Sequence, residues 1–203
     1  MRRIIFGLFA LVLTTGSALA EPEAFEIDDE HSSVHVSWDY SGMVFPFLVF
    51  TKFQGTYLLD VENPENSTVD AVIPINSMWT SVDRMTKNLQ SEWYFDVENH
   101  PTAQFKAASY EVTGENTGIM RGPLTIKGIT HEAVFNVTMN HYGTHPLAEF
   151  RKSMDKDRIV AGFSAHAIIS RADYEMTFVK TVGDEINIRI EAAFAQPKAA
   201  TEQ

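Results

Sequence analysis

The 203-residue chain carries 27 acidic against 16 basic residues, a net charge of −11, and contains no cysteine. The missing thiol excludes Cys nucleophiles, Cys-ligated zinc, iron–sulfur clusters and disulfide staples, so any fold must be held by its own core. The acidic balance works against a nucleic-acid partner and against anionic lipid headgroups on the outside.

Residues 1–20 read as an export signal. Arg2 and Arg3 precede an apolar run from Ile4 to Leu13, and Ala18-Leu19-Ala20 supplies the small-x-small cleavage pattern. The run is about ten residues, half of what a membrane-spanning helix needs. Cleavage after Ala20 predicts a periplasmic protein of about 180 residues, the size of one domain. Residues 21–196 are assigned to that domain and 197–203 to a polar tail.

Along the domain the dominant signal is period-two alternation. Val34, Val36, Trp38 and Tyr40 alternate with Ser33, His35, Ser37 and Asp39. Shorter strands are predicted at Phe53 to Asp60, Val69 to Ile75, Ala103 to Val112 and Gly118 to Ile126. Ala133, Phe135, Val137 and Met139 share one face, as do Ala161, Phe163, Ala165, Ala167 and Ile169. Ile186, Ile188 and Ile190 close the series. Asn63-Pro64-Glu65-Asn66, Gly114-Glu115-Asn116, Lys127-Gly128 and Gly183-Asp184 have the composition of tight turns. About eight strands with one apolar face predict an all-β antiparallel barrel, which buries that face and removes sheet edges.

Two segments break the rhythm. From Ser77 to Phe95, Met78, Val82, Met85, Leu89 and Trp93 recur at spacings of three and four. This predicts one helix over an opening of the barrel, with Asn76 or Ser77 as N-cap. Phe45 to Phe50 is apolar without alternation and reads as a short helix or an apolar loop at a rim.

Five stretches, taken in order, resemble the YceI-like family. These are Asp29-Glu30-His31-Ser32-Ser33-Val34, residues 91–105 (SEWYFDVENHPTAQF) and residues 122–130 (GPLTIKGIT). The others are Ser170-Arg171-Ala172-Asp173-Tyr174-Glu175-Met176 and Val182-Gly183-Asp184-Glu185-Ile186. The resemblance implies an eight-stranded lipocalin-like barrel whose tunnel holds a polyisoprenoid lipid or an isoprenoid quinone. It also implies a tendency to form homodimers and, in some relatives, association with a cytochrome b561-type membrane protein. The chain departs from the family pattern at three places. Met85-Thr86-Lys87-Asn88-Leu89 stands where an Arg-Asp-x-His-Leu run is usual, Tyr40 where the first strand ends in His, and Glu175 where Gly is common.

On this reading Val36, Trp38, Phe53, Ile75, Phe105, Phe135, Phe163 and Ala165 line the tunnel, while Met85, Leu89 and Phe95 close its mouth. No cofactor is required and no residue is catalytic. The three Ala of the 161–167 face leave volume inside, although each aromatic taken singly is explained by ordinary core packing. Two rival readings stand beside the carrier: an enzyme acting on an apolar substrate in the same cavity, and a ligand-free stress or interaction barrel.

Other clusters offer weaker chemistry. His141 and His145 have ligand-like spacing but sit in a segment read as a loop, without a third ligand. Ser164 and His166 share a strand face with no orienting acid in view. Asp184-Glu185 reads as a hairpin tip.

Overall fold

The computed structural model describes residues 21–151, 155–177 and 180–198; the stretch read as an export signal, 1–20, and the last tail residues, 199–203, lie outside them. The described residues form twelve strands and one α-helix. The strands are β1 (Glu23–Ile27), β2 (Ser33–Tyr40), β3 (Phe47–Phe50), β4 (Gln54–Leu59), β5 (Thr68–Pro74), β6 (Met78–Trp79), β7 (Thr102–Lys106), β8 (Ser109–Gly114), β9 (Thr117–Ile126), β10 (Ile129–Thr144), β11 (Ile159–Ser170) and β12 (Val182–Ala195). Helix α1 is Asp83–Gln90.

Twelve strands make only eight staves, because four staves are broken. β1 with β2, β3 with β4, β5 with β6, and β7 with β8 each continue across a short interruption and keep the same neighbouring staves. Every pairing is antiparallel, and β12 pairs with β11 on one side and with both β1 and β2 on the other. The ring therefore closes as an eight-stranded antiparallel barrel, the predicted architecture. At about 3.3 Å per residue and a tilt of about 40°, β12 carries the wall about 35 Å along the axis.

The turn at Lys127-Gly128 has both residues at positive φ, 53° and 74°. Two-residue hairpins of this hand match the twist of the strands they join, and a glycine at the second position carries no Cβ penalty.

Several local expectations are corrected. The helix does not span Ser77 to Phe95. Met78 and Trp79 are drawn into β6, hydrogen-bonded to β3, so sheet pairing wins over the helical spacing. Val82, not Asn76 or Ser77, occupies the N-cap position, and the Thr80 hydroxyl bonds the Thr86 hydroxyl at 2.9 Å to pin the first turn. Phe45 to Phe50 is neither helix nor wholly loop. Leu48 and Phe50 face the core from β3, while Phe47 and Val49 face outward, so both faces of this strand are apolar.

Gly183-Asp184 is a bulge within β12 rather than a turn, which also removes Asp184-Glu185 from a hairpin tip. Arg171 holds the bulge by donating to the carbonyls of Val182 and Gly183 at 2.9 and 3.0 Å, and the Asp184 carboxylate accepts the Ala172 N–H at 3.1 Å. β10 extends to Thr144, so His141 lies on a strand and not in a loop. Finally, β1 is a strand that the sequence reading had not assigned.

Candidate functional site

The bore of the barrel is open. A cavity of about 960 Å³ runs through it, walled almost wholly by aliphatic and aromatic side chains. Short side chains border it, Ala165 on β11, Ala103 on β7 and Ala71 on β5 among them, whereas Ala161, Ala167 and Ala133 are buried without bordering it. The aromatic rings pair along the wall. Phe105 meets Phe135 edge-to-face at 5.0 Å, and Phe163 meets Phe194, on the adjoining strand, at 6.0 Å. Rings satisfied by wall neighbours leave the centre unfilled.

Val36, Trp38, Phe53, Phe105, Phe135, Phe163 and Ala165 all border this cavity from the staves. Met85 and Leu89 border it from α1, and Phe95 from the following turn, where its ring sits edge-on to Phe50 at 5.8 Å. Ile75 does not border it, and its assignment as tunnel lining is corrected. It is 1% exposed in the 3-10 turn Ile75–Ser77 that interrupts β5 and β6, packed within the core without reaching the cavity. Ile73, two residues earlier, takes the lining place on β5.

The sequence reading also missed the polar rims. At the α1 end the cavity is bordered by Arg84, Asn88, Tyr94 and Arg171, with Tyr40 and Thr181 beside them. At the opposite end, where the 60–67 and 114–117 turns converge, it is bordered by Asp60, Glu65, Glu115 and Asn116. The charged groups of the rim are thus cations at one end and carboxylates at the other. No alternation marks such residues, because they sit on α1, in turns and at strand ends.

The phenols around the bore stay neutral. Burial pushes Tyr57 up to about 12, with the charges of Asp29 and Asp70 adding to it, and burial pushes Tyr174 up to about 12, aided by Asp173. Burial also raises Tyr94, against the opposing pull of the Arg171 guanidinium, and raises Tyr110. At the far rim, the Asn66 side-chain amide and the Asn63 N–H donate to the Asp60 carboxylate at 3.0 and 2.8 Å and hold it below its ordinary value.

The remaining clusters lie outside the bore. The Ser164 hydroxyl donates directly to Glu191 at 2.6 Å and accepts from Asn140 at 2.8 Å, with no imidazole between serine and acid. His141 Nε2 donates to the Thr144 carbonyl at 3.1 Å, and His145 Nδ1 accepts the Leu147 N–H at 3.1 Å. Among the described residues, no group of three or more His, Asp or Glu is placed to hold a metal ion.

A long apolar bore with a cationic and an anionic end can shelter a chain molecule in a defined direction. Comparison with known proteins agrees with the barrel fold. The YceI-like domain is matched over residues 25–194. A UPF0312 protein of Pseudomonas putida strain W619 is 28% identical over 179 residues, 86% of this chain and 88% of that protein. The crystal structure of Burkholderia cenocepacia BcnA superposes with a TM-score of 0.70 at 20% identity, covering 83% of this chain and 99% of BcnA. A polyisoprenoid binding domain from Saccharophagus degradans superposes with a TM-score of 0.59 at 13% identity, covering 86% of this chain and 99% of that domain.

Proposed function

This chain belongs to the YceI-like family, and on that premise we propose that it is a periplasmic carrier holding an isoprenoid lipid or isoprenoid quinone in its bore. The observation that carries the proposal is the open apolar cavity of about 960 Å³. At about 30 Å³ per non-hydrogen atom, the share a molecule takes in liquid water, it accommodates about six isoprene units. A tail hiding about 600 Å² of apolar surface gains on the order of 15 kcal/mol at ~25 cal/mol/Å². Ordering the tail and losing free translation take back a large part of that gain, and the remainder still supports tight binding without specific polar contacts.

The rim charges give the ligand a direction. An anionic head, or one rich in acceptor oxygens, is drawn to the Arg84, Asn88 and Arg171 end and repelled from Asp60, Glu65 and Glu115. The largely apolar wall among the described residues favours binding over bond-making, so the reading is a binding protein rather than an enzyme. The export signal supports the compartment, and a quinone-handling membrane protein of the cytochrome b561 type is the partner that fits a quinone cargo.

Native mass spectrometry of the protein taken from its own periplasm tests the proposal. It predicts a non-covalent adduct whose mass variants differ by whole isoprene units. A ligand-free protein under gentle desolvation, or an adduct without that spacing, would overturn it.

A further inference from the structure

Among the described residues, the outer surface beside the α1 end of the bore carries a cluster of exposed apolar side chains. Residues 40–51 and 71–82 contain no Asp, Glu, Lys or Arg, in a chain of which 21% is charged. The barrel brings these segments together, because β3 pairs with β6 and sets Val49 opposite Trp79. Phe47, Trp79 and Val82 are exposed there, and Met43 and Phe45 in the β2–β3 loop are 68% and 70% exposed. The same loop continues into the cavity, which Val44 and Pro46 border. Bare apolar surface and tunnel mouth are thus one continuous feature.

We propose that this face docks on a phospholipid bilayer and sets the tunnel mouth against the lipid phase. Charge favours that occupant. The molecule as a whole is acidic, and the uncharged face is the side it can present to a membrane without repulsion. At its border Arg84 and Lys87 are exposed on α1 and take part in no ion pair among the described residues, free to meet lipid phosphates. Exposed Trp and Phe flanked by cations are the chemistry of interfacial anchoring. A second copy of the chain is the competing occupant. β6 offers it only two residues of strand edge, too little to template a shared sheet. The proposal extends the carrier reading by giving a water-insoluble cargo a route that avoids water.

Flotation with phosphatidylcholine vesicles tests it, using the wild type, the double variant Met43→Glu/Phe45→Glu, and Ile168→Glu on the exposed face of β11 as a control. The wild type should float and the control should match it. The double variant should lose partition about tenfold or more, since each Glu would carry a charge into the apolar layer. Light scattering is run in parallel on the same proteins. A wild type that stays off the vesicles, a double variant that floats unchanged, or a wild-type dimer split by the double variant without vesicle binding would each overturn the membrane assignment. An isoprenoid adduct retained by the double variant shows the carrier reading intact whichever way flotation falls.

Discussion

Replacing Ala165 with Trp probes the bore at a small residue of its wall. Ala165 is 9% exposed on the inner face of β11, between Val137 of β10 and Ile190 of β12, both of which border the cavity. Indole brings about nine more non-hydrogen atoms than a methyl group, which is about 270 Å³ at about 30 Å³ each. That removes more than a quarter of a cavity of about 960 Å³ and the space of about two isoprene units.

Ten carbons at ~0.8 kcal/mol each amount to about 8 kcal/mol of gross burial, and losing only half of it weakens binding about a thousandfold. The fold should tolerate the change, because the ring enters free volume, and Tm should shift by no more than about 2 °C. The assays are thermal unfolding and the ligand-bound fraction in native mass spectra. Overpacking of a filled core would cost about 1–3 kcal/mol, or roughly 3–9 °C. A Tm drop of that size with ligand occupancy equal to the wild type would refute the reasoning.

Two further outcomes follow from the loops at the two ends. Glu175 sits in the left-handed region at φ 55°, where a side chain costs energy, so Glu175→Gly should raise stability by about 0.5–1 kcal/mol in denaturant titrations. The Asp60 carboxylate titrates below its ordinary value of 3.8 in the folded protein. A depressed carboxylate stabilises above its unfolded pKa and loses that contribution as pH falls through the folded one. Protection of the Asn63 amide against hydrogen exchange, corrected for intrinsic rate, should therefore fall below about pH 4 in the wild type. In Asp60→Ala it should already be low at neutral pH.

Much of the barrel was legible because a wall with one wet and one apolar face writes itself as alternation. Val34, Val36 and Trp38, the Phe135 and Phe163 strands, and Ile186 to Ile190 all fall on the inner face as the period requires. β3 escaped because its outward residues, Phe47 and Val49, are apolar too, and a strand with two apolar faces carries no period. The helix was placed correctly over the mouth by Met85 and Leu89, yet overextended, since Met78 fits helical spacing and is equally at home in a strand. Ile75 was lost to a break in its stave that β-spacing cannot foresee.

The rim was the least legible part. Arg84 comes from α1 and Arg171, Asp60 and Glu115 from turns and strand ends, and they reach the two rims only after the barrel closes. Tyr40 and Asn88 both lie at the α1-end rim.

Affinity measured across a homologous series of polyprenyl alcohols tests the central claim most directly. The account predicts a Kd that falls with each added isoprene unit and levels off at about six, when the bore is full. A Kd independent of chain length, or no binding at any length, would contradict it.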